Sequence, residues 1–138
     1  MQNRTIIINA TDYQRLEALV RDAVASHSTR RDLLVALQNE LDRAKVVDPQ
    51  EIPGDVVTMN SKVVLRDLES DEVEAFTLVY PGFADISQGR LSILTPMGMA
   101  IIGYRVGDVI QWEFPSGLRT MRVEEILYQP ERTGQYDL

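Results

Sequence analysis

The sequence predicts an α+β fold: a short antiparallel helical hairpin, then a bent antiparallel β sheet packed around one short helix. Three observations predict it. Apolar residues in the first third recur at three- and four-residue spacing, the period of a helix face. From Asp55 onward they alternate with polar residues or form short β-branched runs, the texture of strands. Between the two textures stand Asp48-Pro49 and Pro53-Gly54, residues that stop helices and form turns. The expected division is therefore residues 1–48 and residues 49–138.

The elements follow in order. Residues 4–9 are β-branched and read as a short strand. A helix is expected from Thr11, because Thr11-Asp12-Tyr13-Gln14 has the spacing of a capping box. Tyr13, Leu16, Val20 and Ala23 form its apolar stripe, widened by Leu19 and Val24, and Glu17 and Arg21 stand four apart in the stabilising order. The run Ala25-Ser26-His27-Ser28-Thr29 breaks the pattern. Ser28 or Thr29 suits the cap of a second helix, with Asp32 near its positive end. Leu34, Leu37, Leu41 and Ala44 continue that helix until Asp48-Pro49. About fourteen residues per helix at ~1.5 Å rise give an arm of ~21 Å.

Strands are expected over 56–59, 62–66, 73–80, 91–94, 109–114 and 119–127. Glu69-Ser70-Asp71, Pro81-Gly82, Gln88-Gly89 and Pro115-Ser116-Gly117 supply the turns between them. The run from Leu91 to Asp108 is the most specific. Thr95 can cap the free amides of a short helix, and Pro96 at the first helical position loses no needed donor. Gly103 can take the left-handed conformation that ends the helix, and Gly107-Asp108 turns the chain into the next strand.

Composition excludes several functions. The chain has 138 residues, 44% hydrophobic and 25% charged, enough for a core without staples. It has no cysteine, so neither disulfides nor thiol chemistry are available, and a reducing, cytoplasmic setting is expected. No apolar run approaches the ~20 residues of a membrane span, and the first residues lack the apolar length of a signal peptide. The net charge is −7, and it is uneven. Residues 1–48 carry seven Lys/Arg and seven Asp/Glu; residues 49–138 carry seven and fourteen. Such a surface repels phosphate backbones, which argues against autonomous nucleic-acid binding and suits a basic patch on a protein partner.

No residue pattern specifies a nucleophile, a phosphate cradle or a metal cluster. One histidine, His27, and no cysteine leave no zinc site unless carboxylates dominate it; His27 reads as a solvated loop residue. Glu69, Asp71, Glu72 and Glu74 lack the spacing of a calcium loop and read as a solvated turn. The aromatics Tyr80, Phe83, Tyr104, Trp112 and Tyr128 read first as core, with a lined cleft as the alternative.

The run from Leu91 to Gly103 resembles the C-terminal domain of the transcript-cleavage factors GreA and GreB, where a serine-proline turn opens a short helix that ends at glycine. Five further segments resemble the Rnk family, regulators of nucleoside diphosphate kinase related to the Gre factors: Thr5-Ile6-Ile7-Ile8-Asn9, Asn39-Glu40-Leu41-Asp42-Arg43-Ala44, Asp55-Val56-Val57-Thr58-Met59-Asn60-Ser61, Thr77-Leu78-Val79-Tyr80-Pro81 and Tyr128-Gln129-Pro130-Glu131. The resemblance implies an FKBP-like fold for residues 49–138 and a coiled-coil character for the arm. It implies a partner, RNA polymerase, met at the rim of its secondary channel by Leu94, Thr95, Pro96 and Met97, with Thr95 where the Gre motif has serine. It implies competition there with the Gre factors and DksA.

Gre factors carry acidic residues at the tip of a long coiled coil, where they help hold a metal for RNA cleavage. Here the tip region offers Asp22, His27, Arg30, Arg31 and Asp32. The acids stand on different helices with arginines between them and the turn, so binding without cleavage is expected, with no cofactor, metal or catalytic residue. The link to nucleoside diphosphate kinase is expected to be indirect. The alternatives are an FKBP-like prolyl isomerase, a cleavage-stimulating factor and a direct binder of the kinase.

Overall fold

The computed structural model describes residues 6–26, 31–114 and 117–134. His27, Arg30, the candidate caps Ser28 and Thr29, the Pro115-Ser116 turn and the side chain of Trp112 lie outside this description.

The first unit is strand β1 (Ile7–Asn9), helix α1 (Ala10–Ser26), helix α2 (Arg31–Arg43) and strand β2 (Lys45–Val47). β1 and β2 pair in parallel, with Ile7 opposite Lys45 and Asn9 opposite Val47. The chain thus leaves its base along α1 and returns to the same base after α2. Leu16, Val20 and Ala23 of α1 and Leu34, Leu37 and Leu41 of α2 are buried, as their spacing predicts.

Two features differ from expectation. α1 begins at Ala10, not Thr11, because Asn9 takes the cap: its Oδ1 accepts from the Asp12 N–H at 2.7 Å. Asn is as good a cap as Thr, and here it also ends the strand, so the first free amides meet it first. Residues 45–47, expected as the close of α2, instead form β2. Val46 and Val47 are β-branched, and pairing with β1 gives their backbone a ladder that a last helical turn before Asp48-Pro49 lacks.

The second unit holds β3 (Lys62–Asp67), β4 (Val73–Val79), β5 (Arg90–Ser92), helix α3 (Pro96–Ile101), β6 (Val109–Phe114) and β7 (Gly117–Tyr128). The sheet order is β5-β4-β3-β7-β6. The pairs β3·β4, β3·β7 and β6·β7 are antiparallel, but β5 runs parallel to β4. This corrects the expected all-antiparallel sheet. Between β4 and β5 the chain makes two single-turn 3-10 helices, Pro81–Phe83 and Ile86–Gln88. They bring it back to place Arg90 beside Thr77, so β5 travels in the same direction as β4.

Residues 56–59 also differ from the strand expected there. They are buried, but Val57 is held by a loop rather than a ladder: its N–H donates to Tyr104 O and its carbonyl accepts from Gly103 N–H, both at 2.8 Å. A short β-branched run reports burial whether or not a strand partner is available.

One face of the sheet is the core. Val63, Leu65, Phe76, Leu78, Val123 and Ile126 point inward toward α3, whose Met99, Ala100 and Ile101 are buried. That core is continuous with the stripe of α1 and α2 through Ile6, Ile8 and Ile102. Each large aliphatic side chain removed from water contributes about 1.5–3 kcal/mol, so this shared core ties the helices to the sheet.

Candidate functional site

The Thr95 turn is built as its sequence predicts. Thr95 caps α3: its Oγ1 accepts from Gly98 N–H at 3.1 Å, and its hydroxyl donates to Ser92 O at 2.7 Å. Ser92 Oγ in turn accepts from Leu94 N–H at 3.0 Å. Gly98 lets the helix sit down on β5, since a Cβ there would meet Ser92 O at 2.3 Å. Leu94, Thr95, Pro96 and Met97 all remain half-buried, so a stiff turn offers two apolar side chains, Leu94 and Met97, at its rim. Thr95→Ala removes both side-chain bonds and is expected to destabilise the protein by about 1 kcal/mol, read as a lower denaturation midpoint. A change within 0.2 kcal/mol would show that the cap bears no weight.

A second assembly was not legible as a site from sequence. Asn9, Asp12, Thr58, Ser61, Tyr80 and Glu131 form one polar network where the first unit meets the second. Asn9 Nδ2 donates to Asp12 Oδ2 at 3.2 Å and to Glu131 Oε2. Tyr80 donates its hydroxyl to Asp12 Oδ1 at 3.1 Å. Thr58 donates to Glu131 Oε1 at 2.7 Å, and its oxygen stands 2.9 Å from Ser61 Oγ. Since the Thr58 proton goes to Glu131, Ser61 must be the donor in that last pair. Nearby, Gln129 Nε2 donates to Pro53 O at 2.8 Å and Val56 O at 2.7 Å, stitching the linker to the end of β7.

The electrostatics of this junction are unusual. Asp12 is 3% exposed. Burial first, then the charge of Glu131, push its carboxyl up to about 7; the Tyr80 hydroxyl, the Met59 backbone N–H and Arg15 oppose the shift. Burial, then the neighbouring Asp12 charge, also raise the Tyr80 phenol, which stays a donor. Four of the five segments that resemble Rnk supply this junction, through Asn9, through Thr58 and Ser61, through Tyr80, and through Gln129 and Glu131. Their spacing, 122 residues between Asn9 and Glu131, hid the convergence.

The other candidate residues are dispersed. Asp22 is exposed and borders a recess between α1 and the segment bearing Tyr80 and Phe83. Asp32 lies in the first turn of α2 beside Arg31, both exposed. Among the described residues no three His, Cys, Asp or Glu side chains are placed to hold a metal ion. The described aromatics do not all meet in one cleft: Tyr104 is buried in the core, and Phe83, 68% exposed, borders one recess with Tyr80 and another with Tyr128. Asp71 pairs with Arg66, and Arg119 and Arg122 pair with Asp67 and Glu124. Among the described residues no helix is long and apolar enough to cross a membrane.

Comparison with known proteins gives the class. Residues 52–128 match the family described as transcription elongation factor, GreA/GreB, C-term, and residues 4–47 match the Rnk N-terminus. The solved structure of the prokaryotic transcription elongation factor GreA/GreB from Nitrosomonas europaea superposes with a TM-score of 0.73 at 43% identity, covering 90% of this chain and 100% of that one. GreA of Acetivibrio thermocellus is 39% identical over 90 residues, 65% of this chain and 57% of that protein. The regulator of nucleoside diphosphate kinase of Escherichia coli (strain K12) is 45% identical over 137 residues, 99% of this chain and 98% of that protein. The chain belongs to the Rnk family of regulators of nucleoside diphosphate kinase, and its second unit is of the GreA/GreB C-terminal type.

Proposed function

We propose that this protein is a non-enzymatic transcription regulator that binds RNA polymerase at the rim of the secondary channel and does not stimulate transcript cleavage. The observation that carries the reading is the capped turn of Leu94, Thr95, Pro96 and Met97, rigid and half-exposed, on a chain of which 90% is covered by a solved structure named as a transcription elongation factor. In this reading residues 49–138 form an FKBP-like docking unit and residues 1–48 a short antiparallel hairpin that reaches partway toward the channel. The 17 residues of α1 span about 25 Å at ~1.5 Å each, somewhat longer than the ~21 Å expected. The polar junction fixes the angle between the two units.

The places of the described acids support the reading without cleavage. Asp22 borders the recess beside Phe83, and Asp32 sits in the first turn of α2, where its charge favours the helix N-terminus. Metal-assisted hydrolysis needs carboxylates aimed at one shared cation. The effect on nucleoside diphosphate kinase is then indirect, through transcription.

Pro96→Glu is expected to weaken binding to polymerase core enzyme about tenfold or more, because it places a charge at the centre of an apolar contact. Its thermal melt should stay cooperative, since Glu is well tolerated in a first helical turn. Wild-type protein added to a stalled elongation complex should leave the transcript intact. Unchanged affinity of the variant would remove the turn from the interface, and shortened transcripts would refute the non-catalytic assignment.

A further inference from the structure

The second unit holds seven cations against fourteen acids. Four of the seven are committed to carboxylates: Arg66, Arg105, Arg119 and Arg122. Arg132 donates instead to the backbone oxygens of Gly54 and Ile126. The two left, Lys62 and Arg90, are exposed and have no ion-pair partner among the described residues.

Lys62 and Arg90 are not scattered. Lys62 of β3 stands opposite Thr77 of β4, and Thr77 stands opposite Arg90 of β5. The three therefore form a row on one face of the sheet, and it is the outer face, because Val63, Phe76, Leu78 and Leu91 beside them are buried on the other. Tyr128 of β7 extends the row next to Lys62. Over its end stands Phe83, 68% exposed, which lines the same recess as Lys62, Thr77, Arg90 and Tyr128. Phe83 also lines the recess on its other side, against Leu19 and Asp22 of α1. A strongly exposed phenylalanine thus stands beside the two uncommitted cations of an otherwise acidic unit.

We propose that this corner, Phe83 with Lys62 and Arg90, is a second docking surface that takes an acidic protein segment: an apolar side chain against Phe83 and carboxylates on the two cations. A segment with one or two carboxylates complements this corner, whereas a nucleic-acid backbone would also meet the surplus acids of the unit. An aromatic flanked by cations supplies both the buried contact and the charge that fixes its register. The proposal rests on the polymerase reading above and adds to it: the enzyme that meets the Thr95 turn also supplies an acidic segment to this corner.

The test measures binding of the full chain to polymerase core enzyme over a range of salt concentrations, for wild type, Pro96→Glu, Phe83→Ser, Lys62→Gln with Arg90→Gln, and Lys62→Glu with Arg90→Glu. The expected result is a loss of about tenfold for Phe83→Ser and a larger loss for the double charge reversal. The neutral double variant should lie between wild type and the reversal and show a shallower salt dependence. Thermal melts of all variants should match wild type, because these side chains lie outside the core. If wild type binds, Pro96→Glu weakens it, and the Phe83 and Lys62/Arg90 variants match wild type in affinity and salt slope, the second surface is overturned while the polymerase reading stands. If wild type does not bind polymerase, both fall.

Discussion

Gly103→Ala should destabilise the protein by about 3 kcal/mol, a fall in Tm of about 10 °C for a chain this long. Two effects add. Gly103 has φ +78°, a conformation that costs a residue with a Cβ about 1 kcal/mol. The added Cβ would also lie 2.4 Å from Ile6 Cβ, and Ile6 is 1% exposed in the core that joins the two units. Overpacking of that kind costs about 1–3 kcal/mol. Gly103 is pinned on both sides, donating its N–H to Val57 O at 2.8 Å and accepting from Ile7 N–H at 3.4 Å, so the backbone cannot step aside cheaply. Gly107→Ala supplies the control: its φ is +93° but nothing lies within 4 Å of the new Cβ, so only the conformational part remains. Equal losses from the two variants, in denaturant melts, would mean that Ile6 does not press on Gly103.

The second large effect is a dependence of stability on pH set by Asp12. Its carboxyl is raised from 3.8 in the unfolded chain to about 7 in the fold. Between those values the folded protein holds a proton that the unfolded chain has released. The Asp12 contribution to stability is therefore complete below about pH 4, falls as pH rises toward 7, and levels off above, whereas the lowered carboxyls of Asp67 and Glu124 contribute with the opposite sign at acid pH. The shift corresponds to a loss on the order of 4 kcal/mol across that window. Burial raises the Glu40 carboxyl too, which adds a loss of the same sign. Asp12→Asn isolates the Asp12 share, because it removes the titration while keeping the size and an acceptor oxygen for Asn9, and its amide then faces the Tyr80 hydroxyl, which can turn to accept. The variant should resemble wild type near pH 5 and exceed it near pH 8 by a few kcal/mol, with a flatter profile between. Parallel profiles for the two proteins would show that Asp12 is ionised in the fold throughout.

The elements whose evidence is local were readable in the sequence. The stripes of α1 and α2, the strands over 62–66, 73–80 and 109–114, Thr95 capping a short helix and the positive φ of Gly103 all follow from spacing and from the conformations open to single residues, although Ile102, already extended, ends the helix and Gly103 serves the turn after it. What escaped depends on distant partners. β2 exists because β1 lies beside it; without that neighbour Val46 and Val47 read as the tail of a helix. Residues 56–59 have strand composition, but only a loop around Gly103 and Tyr104 to pair with. The direction of β5 was set by two single-turn helices that no period announces.

The candidate sites divide the same way. Thr95 and Pro96 carry their geometry in adjacent residues. Asp12 read as part of a capping box opened by Thr11; its placement against Tyr80, and against Glu131 through Asn9, arises only when the two units meet. The family resemblance marked those segments without saying that they touch. Phe83 read as core because strand aromatics are usually buried, and the turn after β4 instead leaves it exposed.

Competition for polymerase separates a polymerase partner from a kinase partner. Labelled GreA bound to polymerase core enzyme is titrated with the unlabelled protein, with nucleoside diphosphate kinase offered separately as an immobilised partner. The account predicts that the protein displaces GreA to completion, that Pro96→Glu displaces it only at about tenfold higher concentration or above, and that the kinase retains nothing. Undiminished GreA signal at saturating protein, with retention on the kinase, would contradict it.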